Sequence, residues 1–225
     1  MFPELTRDDV FRIETPRLWL RWARLSDAVA IHSVMNVKQV AEMTATWPYP
    51  LAESDVERRI FDMRKFNALG NGLQVVMTLK SEPDEIIGIL GGHFNSGKAF
   101  NIGYALDVEH HGQGYATEAL QALMDTVFVL SNAVKVTASV RIFNEASRRV
   151  LIKSGFHENG AGLETMPARG GKMLSDKYVL TRARWNALKG WREPVIAGLV
   201  IDIGINTLEA GISAEQKANA NLLHA

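Results

Sequence analysis

The chain has 225 residues, no cysteine, and 25 acidic against 25 basic residues, so disulfides, thiolate metal sites and a cysteine nucleophile are excluded. Its 47% hydrophobic and 22% charged residues are typical of a globular protein, and the balanced charge gives no sign of a nucleic-acid or membrane partner. Because the charged first residues lack the apolar segment of a secretory signal, and no apolar run reaches membrane-spanning length, we expect a cytoplasmic protein.

The first part of the chain predicts an arm, a strand and a helix. We expect residues 1–12 to be a mobile or lightly docked arm. Apolar residues alternate with others over positions 18–22, which predicts a strand. Ser26 and Asp27 can begin a helix, and its inner side would hold Ile31, Val34 and Met35.

A loop and a second helix follow. The segment Val40–Leu51 contains two prolines and is predicted to be a loop. Ser54 and Glu57 have the spacing of a capping box, which predicts a helix starting near Asp55. Gly70 is the expected end of that helix.

Three apolar segments with short connections then predict an antiparallel meander. They cover residues 73–80, 86–94 and 100–108. The middle segment contains glycine at positions 88, 91 and 92, which predicts a bend or a close approach by another group.

Residues 102–128 combine a strand, a glycine turn and a helix. The turn holds Gly112 and Gly114, and apolar residues of the following helix recur at positions 116, 120, 123 and 127. The first N–H groups of a helix have no intrahelical partner, and the helix dipole adds roughly half a positive charge there. The sequence therefore predicts an anion site, best suited to phosphate.

The glycine spacing excludes the two commonest phosphate-binding loops. A dinucleotide fingerprint would need a third glycine where Thr117 stands, and a P-loop would need a lysine, which this turn lacks. The other interpretation is that the glycine turn only connects the strand to the helix and binds no ligand.

The remaining pattern predicts one parallel strand pair and a closing antiparallel part. Positions 134–140 alternate as a strand, and a strand–helix–strand order implies a parallel crossover. Asn144 would begin a short helix that ends at Gly155. Two strands are then expected, one within residues 156–167 and one at 177–181, and residues 182–188 would form a closing helical turn. The fold class is therefore α/β (α+β), with a mixed, mostly antiparallel central sheet that contains one parallel crossover pair and is flanked by helices.

Residues 190–225 are too apolar for a solvated tail. Their alternation at positions 199, 201, 203 and 205 would suit an added strand. A homodimer contact and a segment unrelated to the preceding domain are the other interpretations, and the sequence does not select among the three.

Three motifs stand out: HGQGYATEAL at 111–120, T-x-R-L-x-L-R at 15–21, and NEASRRVLIKSGF at 144–156. They resemble the GNAT superfamily of acyl-CoA-dependent N-acyltransferases, and within it the Rim-type branch of ribosomal-protein N-terminal acetyltransferases. His111 departs from the family pattern, which has Gln or Arg there. Since the resemblance covers roughly residues 13–188, we expect an N-terminal arm (1–12), a GNAT domain (13–188) and a C-terminal extension of unknown role (189–225).

The resemblance implies an acetyl-CoA-dependent N-acetyltransferase that moves an acetyl group directly to a primary amine, either a protein N-terminus or a small-molecule amine. Acetyl-CoA is the implied acyl donor, and no metal is expected. Trp47 and Tyr49 would line the acceptor pocket, or would only pack their loop onto the core. The implied donor-binding residues are Leu106, Val108, His111, Gly112, Gln113, Gly114, Tyr115, Ala116, Thr117, Asn144 and Ser147.

The groups that transfer protons are less well specified. Leu151 stands where many members of the family have a tyrosine acid, and Ala138 where some have a glutamate base. The remaining catalytic candidates are Ser147, Asp107 and Tyr104, with Glu109 as a further carboxylate, and each has a purely structural alternative. Because the usual acid and base are missing, the alternative function is a catalytically degenerate acyl-CoA-binding or regulatory module.

Overall fold

The computed structural model describes residues 1–95, 98–188 and 195–197. Its described part contains one nine-stranded sheet in the order β7-β8-β6-β5-β4-β3-β2-β1-β9. The strands are β1 Arg12–Glu14, β2 Leu18–Arg21, β3 Gly72–Leu79, β4 Ile86–Phe94, β5 Ala99–Leu106, β6 Lys135–Arg141, β7 His157–Met166, β8 Gly171–Thr181 and β9 Val195–Ala197. The helices are α1 Ala28–Met35, α2 Lys38–Ala41, α3 Glu53–Ala68, α4 Tyr115–Leu130, α5 Glu145–Lys153 and α6 Arg182–Ala187.

The pairing of the strands confirms the predicted fold class. Strands β5 and β6 pair in parallel, as a strand–helix–strand crossover requires, and the other neighbours pair antiparallel. The parallel pairing runs only from Ala99 with Lys135 to Ile102 with Ala138. Beyond it, β5 continues to Leu106 while β6 continues to Arg141, so the two strands leave a gap between their ends.

Two hydrophobic cores cover the two faces of the sheet. The first lies under α4, whose predicted apolar stripe is buried at Leu120, Leu123 and Val127. The second lies under α1 and α3 and includes Ile31 and Ile60. The helical spacing of these residues explains why each helix presents one continuous apolar side to the sheet.

The first twelve residues are not a lightly docked arm. Phe2 is 1% exposed and lies in the first core. Its ring is 5.6 Å from that of Phe94 and 5.7 Å from that of Phe100, measured between centroids. Its backbone N–H donates to the carbonyl of Gly70 at 3.0 Å. The expectation was wrong because two aromatic side chains, Phe2 and Phe11, are buried in the first core and outweigh the polar residues around them.

Replacing Phe2 by leucine is expected to lower the free energy of unfolding by about 1 kcal/mol, because the smaller side chain loses ring contacts in a close-packed core. Urea denaturation measures the change. Leu5→Ala is the matched control in the same segment, because Leu5 is 39% exposed and its truncation should change stability by less than about 0.5 kcal/mol. Equal stability of Phe2→Leu and the unchanged chain would contradict the observed packing.

The predicted start of α3 was also wrong. The helix begins at Glu53 after Ala52, and no side chain caps it. Leu51 is held just before this start, since its N–H donates to Asn36 Oδ1 and its carbonyl accepts from His32 Nε2, both at 2.9 Å. These long-range bonds fix where the helix begins, so the Ser54 pattern is not used as a cap. The predicted end is confirmed, since Gly70 follows the helix with φ +68°.

The C-terminal prediction can be followed only in part. Val195–Ala197 pairs antiparallel with β1 at the edge of the sheet. The alternating positions 199–205, and with them the homodimer interpretation, lie outside the described residues. Within the described ranges, none of the helices is both long and apolar enough to cross a membrane.

Candidate functional site

The turn before α4 presents a cluster of unused backbone donors. Gly112 and Gly114 have φ of +77° and +85°, a left-handed conformation that glycine adopts without strain. The first intrahelical bond runs from the N–H of Glu118 to the carbonyl of Gly114, at 3.0 Å. In the described part of the chain, the N–H groups of residues 112–117 therefore donate to no protein acceptor. This is the arrangement expected of an anion site.

An ion pair fastens this turn to the start of β2. Arg17 Nε lies 2.6 Å from Glu118 Oε2, and Arg17 Nη1 donates to the carbonyl of Gln113 at 2.9 Å. The guanidinium also stacks on the ring of Tyr115, 4.3 Å from its centroid. Glu118 Oε1 accepts from the hydroxyl of Thr15 at 2.6 Å. The turn is thus held in shape before any ligand binds.

The strand before the turn directs free backbone groups into the gap between β5 and β6. The N–H of Asp107 donates to the carbonyl of Ile87 in β4, at 2.8 Å. Since backbone direction alternates along a strand, the N–H groups of Leu106 and Tyr104 face the opposite side, where β6 has diverged. His111 Nε2 donates to the carbonyl of Leu106 at 3.0 Å, which joins the turn to the end of the strand.

A tyrosine and a serine meet across this gap. Tyr104 Oη lies 2.8 Å from Ser147 Oγ, and the two hydroxyls form a hydrogen bond. Burial raises the pKa of Tyr104 well above its ordinary value, although the hydrogen bond from Ser147 opposes the shift. Asn144 caps α5, because its Oδ1 accepts from the N–H of Ser147 at 3.1 Å. The cap therefore fixes the residue whose hydroxyl faces Tyr104.

One cavity of about 940 Å³ has two arms. The first contains the free N–H groups before α4 and the gap between β5 and β6, and the second lies between α3 and the sheet. Of the predicted donor-binding residues, those lining it are Leu106, His111, Gly112, Gly114, Tyr115, Ala116, Thr117, Asn144 and Ser147. Val108 and Gln113 do not line it. Val108 packs against the second core, and Gln113 Nε2 donates to the carbonyl of Glu109 at 3.1 Å.

The structure also sorts the predicted acceptor and catalytic residues. Trp47 and both members of the Tyr104–Ser147 pair line the cavity, whereas Tyr49 does not and is 47% exposed. Asp107 lies outside the lining too. Its Oδ1 accepts from the N–H of Glu109 at 3.4 Å, so this carboxylate shapes its own turn. The expectations that Tyr49 lines the pocket and that Asp107 acts in catalysis do not agree with this placement.

The floor of the second arm lacks side chains at its centre. Gly91 and Gly103 lie opposite each other on β4 and β5, and a methyl group added at Gly103 would meet no atom within 4 Å. The next pair along these strands is His93 with Asn101. Asn101 Nδ2 donates to the hydroxyl of Thr137 at 3.2 Å. The floor is therefore open beside the gap and polar further from it.

The wall of this arm comes from α3 and was missed by sequence reasoning. Arg59, Asp62, Met63 and Phe66 line it, together with Gln74 of β3. The four helix residues have the spacing i, i+3, i+4, i+7, which indicates one face of a helix. The spacing is visible in the sequence. However, these residues include both charged and apolar side chains, so they do not look like the apolar face of a core helix.

Comparison with known proteins identifies the family. Residues 17–157, more than half of the chain, match the family described as acetyltransferase (GNAT) domain. The chain belongs to the GNAT acetyltransferases. It is 28% identical over 177 residues to the uncharacterized N-acetyltransferase YoaA of Bacillus subtilis, which covers 76% of this chain and 97% of that protein. It is an acetyl-CoA-dependent N-acetyltransferase, as its motifs implied.

Two further relatives agree with the Rim-type resemblance of this GNAT protein. A ribosomal-protein-serine acetyltransferase of Escherichia coli is 35% identical over 150 residues, 59% of this chain and 81% of that protein. The crystal structure of RimL, the ribosomal L7/L12 α-N-protein acetyltransferase, in complex with coenzyme A superposes with a TM-score of 0.65. The alignment covers 74% of this chain and 95% of RimL at 23% identity, so it establishes the shared fold.

The described residues contain no group of three or more His, Cys, Asp or Glu side chains that could hold a metal ion. His110 illustrates why, since its nearest carboxylates belong to Glu85 and Asp107, at 3.6 and 3.7 Å. Glu85 approaches Nε2 of the imidazole and Asp107 approaches Nδ1, on the opposite side of the ring, so the three groups do not converge on one metal position.

Proposed function

We propose that the cavity is the transfer site, with acetyl-CoA in the arm beside α4 and a primary amine in the arm beside α3. The amine would belong to a protein N-terminus or to a small molecule. The observation that carries this proposal is the set of unpartnered N–H groups at residues 112–117, which opens into the same cavity as the gap between β5 and β6.

The residues present fit the donor. The free N–H groups before α4, supported by the helix dipole, suit a diphosphate. Glycine at positions 112 and 114 lets the backbone approach it, and the gap beyond Ile102 gives an extended chain access to the N–H of Leu106. Bound there, acetyl-CoA supplies an acetyl group activated as a thioester.

Each remaining residue then has a proposed role in the transfer. The N–H of Leu106 stabilises the thioester carbonyl oxygen as that oxygen gains negative charge. The attacking amine loses a proton to water as its nitrogen bonds to the thioester carbon. The hydroxyl of Ser147 donates a proton to the sulfur as the bond between that carbon and the sulfur breaks, and water reprotonates the hydroxyl. Tyr104 orients the hydroxyl of Ser147 through their 2.8 Å hydrogen bond. His111 holds the carbonyl of Leu106, so it positions the strand end and does not itself bind phosphate.

Two measurements test the proposal. Acetyl-CoA at 100 times its Kd is expected to stabilise the folded chain by about 2.7 kcal/mol, seen as a rise in Tm. A panel of primary amines should then give thiol release, with the product confirmed by mass spectrometry. Unchanged melting at millimolar acetyl-CoA contradicts the proposed site. Binding without thiol release from any amine supports the degenerate acyl-CoA-binding alternative instead.

A further inference from the structure

Arg59 brings to the acceptor arm a positive charge that forms no close ion pair with a described carboxylate, although Asp55 and Asp62 act on it from a greater distance. No Asp or Glu oxygen of the described chain lies within 4.0 Å of its guanidinium, although α3 carries acidic residues on both sides of it. The carboxylate of Asp55 is instead paired with Arg58 at 2.6 Å. Arg59 lines the cavity, so its unpaired charge faces the space proposed for the acceptor.

The guanidinium of Arg59 is fixed and partly desolvated. Its Nη2 donates to the carbonyl of Thr46 at 2.7 Å, and its Cζ lies 4.6 Å from the centroid of the Trp47 ring. Its Nε is buried and has no hydrogen-bond partner. Burial lowers the pKa of Arg59 because the charged form has lost water. Nη1, by contrast, is not buried and donates to no described acceptor, so it is the donor that a ligand can reach.

Two further arginines hold the loop next to this arm, although neither lines the cavity. Arg141 and Arg169 donate to the carbonyls of Glu42 and Trp47 at 3.1 and 2.5 Å. The acidic side chains facing the cavity are Glu164, paired with Lys177 at 2.8 Å, and Asp62, which is exposed and therefore screened by water. The imidazole of His93 also faces this arm.

We infer that the acceptor amine carries a carboxylate close to its amino group, and that Arg59 binds this carboxylate. The inference rests on the proposed function, because it concerns the second substrate of the same cavity. A guanidinium has several N–H donors, and Nη1 is the one that donates to no described acceptor and is not buried, so the carboxylate would bind there. The carboxylate could belong to a small amino acid or to an acidic residue that follows a peptide N-terminus.

Two pairs of amines that differ only in charge test the inference. The peptide pair is the amide of serine–aspartate–aspartate against that of serine–asparagine–asparagine. The small-molecule pair is β-alanine against β-alaninamide. We expect kcat/KM to be roughly ten-fold higher for the acidic member of at least one pair, since a charge-assisted hydrogen bond is worth about 1.5–3 kcal/mol. A preference confined to the peptides identifies an acidic peptide N-terminus, and a preference in both identifies the carboxylate alone.

Arg59→Gln should remove this preference, whereas Arg58→Gln should keep it. The second variant is a matched control, because Arg58 is the adjacent residue on α3 and its side chain is 69% exposed. Arg59→Lys retains the charge without the planar fork, and should keep part of the preference even if the glutamine variant folds poorly. The acetyl-CoA-induced rise in Tm should be unchanged in all three.

Equal kcat/KM for acidic and neutral amines in the unchanged chain overturns the inference while leaving N-acetyl transfer intact. The inference also fails if Arg59→Gln lowers kcat/KM by the same factor for the acidic and the neutral amine of a pair. Arg59 would then only support the loop around Trp47. If no amine is acetylated and acetyl-CoA does not raise Tm, the proposed function is contradicted as well. The two failures are therefore distinguishable.

Discussion

Replacing Gly114 by valine is expected to abolish the acetyl-CoA-induced rise in Tm and to raise KM for acetyl-CoA at least roughly a hundred-fold. Gly114 has φ +85°, where a β-branched side chain is strongly disfavoured. The new Cβ would also lie 3.4 Å from Arg17 Nη2, in the group that holds the turn. Relief of this strain would turn the N–H groups of residues 112–117 away from their common target. Thermal melting with and without acetyl-CoA measures the loss.

Gly160→Val is the matched control for this change. Gly160 has φ +84° and lies in β7, and an added Cβ meets no atom within 4 Å there. The two variants carry nearly the same backbone strain, so their stability without ligand should fall by similar amounts. Only Gly114→Val should lose the response to acetyl-CoA. A normal response in Gly114→Val would show that the turn does not hold the donor.

Removing the Ser147 hydroxyl is expected to lower kcat roughly a hundred-fold, the lower range of general acid catalysis, with KM for acetyl-CoA nearly unchanged. Ser147→Ala leaves the backbone N–H that Asn144 caps, so α5 should stay in place. Tyr104→Phe should reduce kcat less, because Tyr104 only orients the hydroxyl of Ser147. Steady-state kinetics with a good amine acceptor separates kcat from KM.

The control for Ser147→Ala lies on the same segment. Ser154 follows α5, and its buried hydroxyl has no hydrogen-bond partner. Ser154→Ala therefore removes the same atom without removing an interaction, and kcat should stay within about two-fold. If Ser147→Ala retains full kcat, another group protonates the leaving sulfur.

Features that depend on one element and its neighbours were predictable from the sequence. The apolar spacing of α4 and the glycines before it define a strand, a turn and a helix with free N–H groups at its start. Asn144 was expected to cap α5, and its side chain does so. Each prediction needs only local geometry, since caps, turns and amphipathic faces are set within about one or two helical turns.

Features that depend on contacts between distant segments were not predictable in this way. Arg59 and His93 line one cavity only because α3 packs against β3 and brings Phe66 to the ring of His93, which no local pattern specifies. The start of α3 is set by Leu51 and its long-range bonds. A strand within residues 156–167 was predicted and β7 confirms it, but its bounds were not, because residues 157–161 are all exposed and show no alternation of buried and exposed residues.

The two arms of the cavity are continuous, and this decides how far the acetyl group has to move. The gap beside Ser147 opens directly into the space above Gly103, so the two reactants can occupy their arms together and meet there. Under the proposed function, the acetyl group would pass from acetyl-CoA to the amine in a single encounter, without a covalent intermediate on a side chain. Each product would then be able to leave by the arm in which its parent molecule was bound.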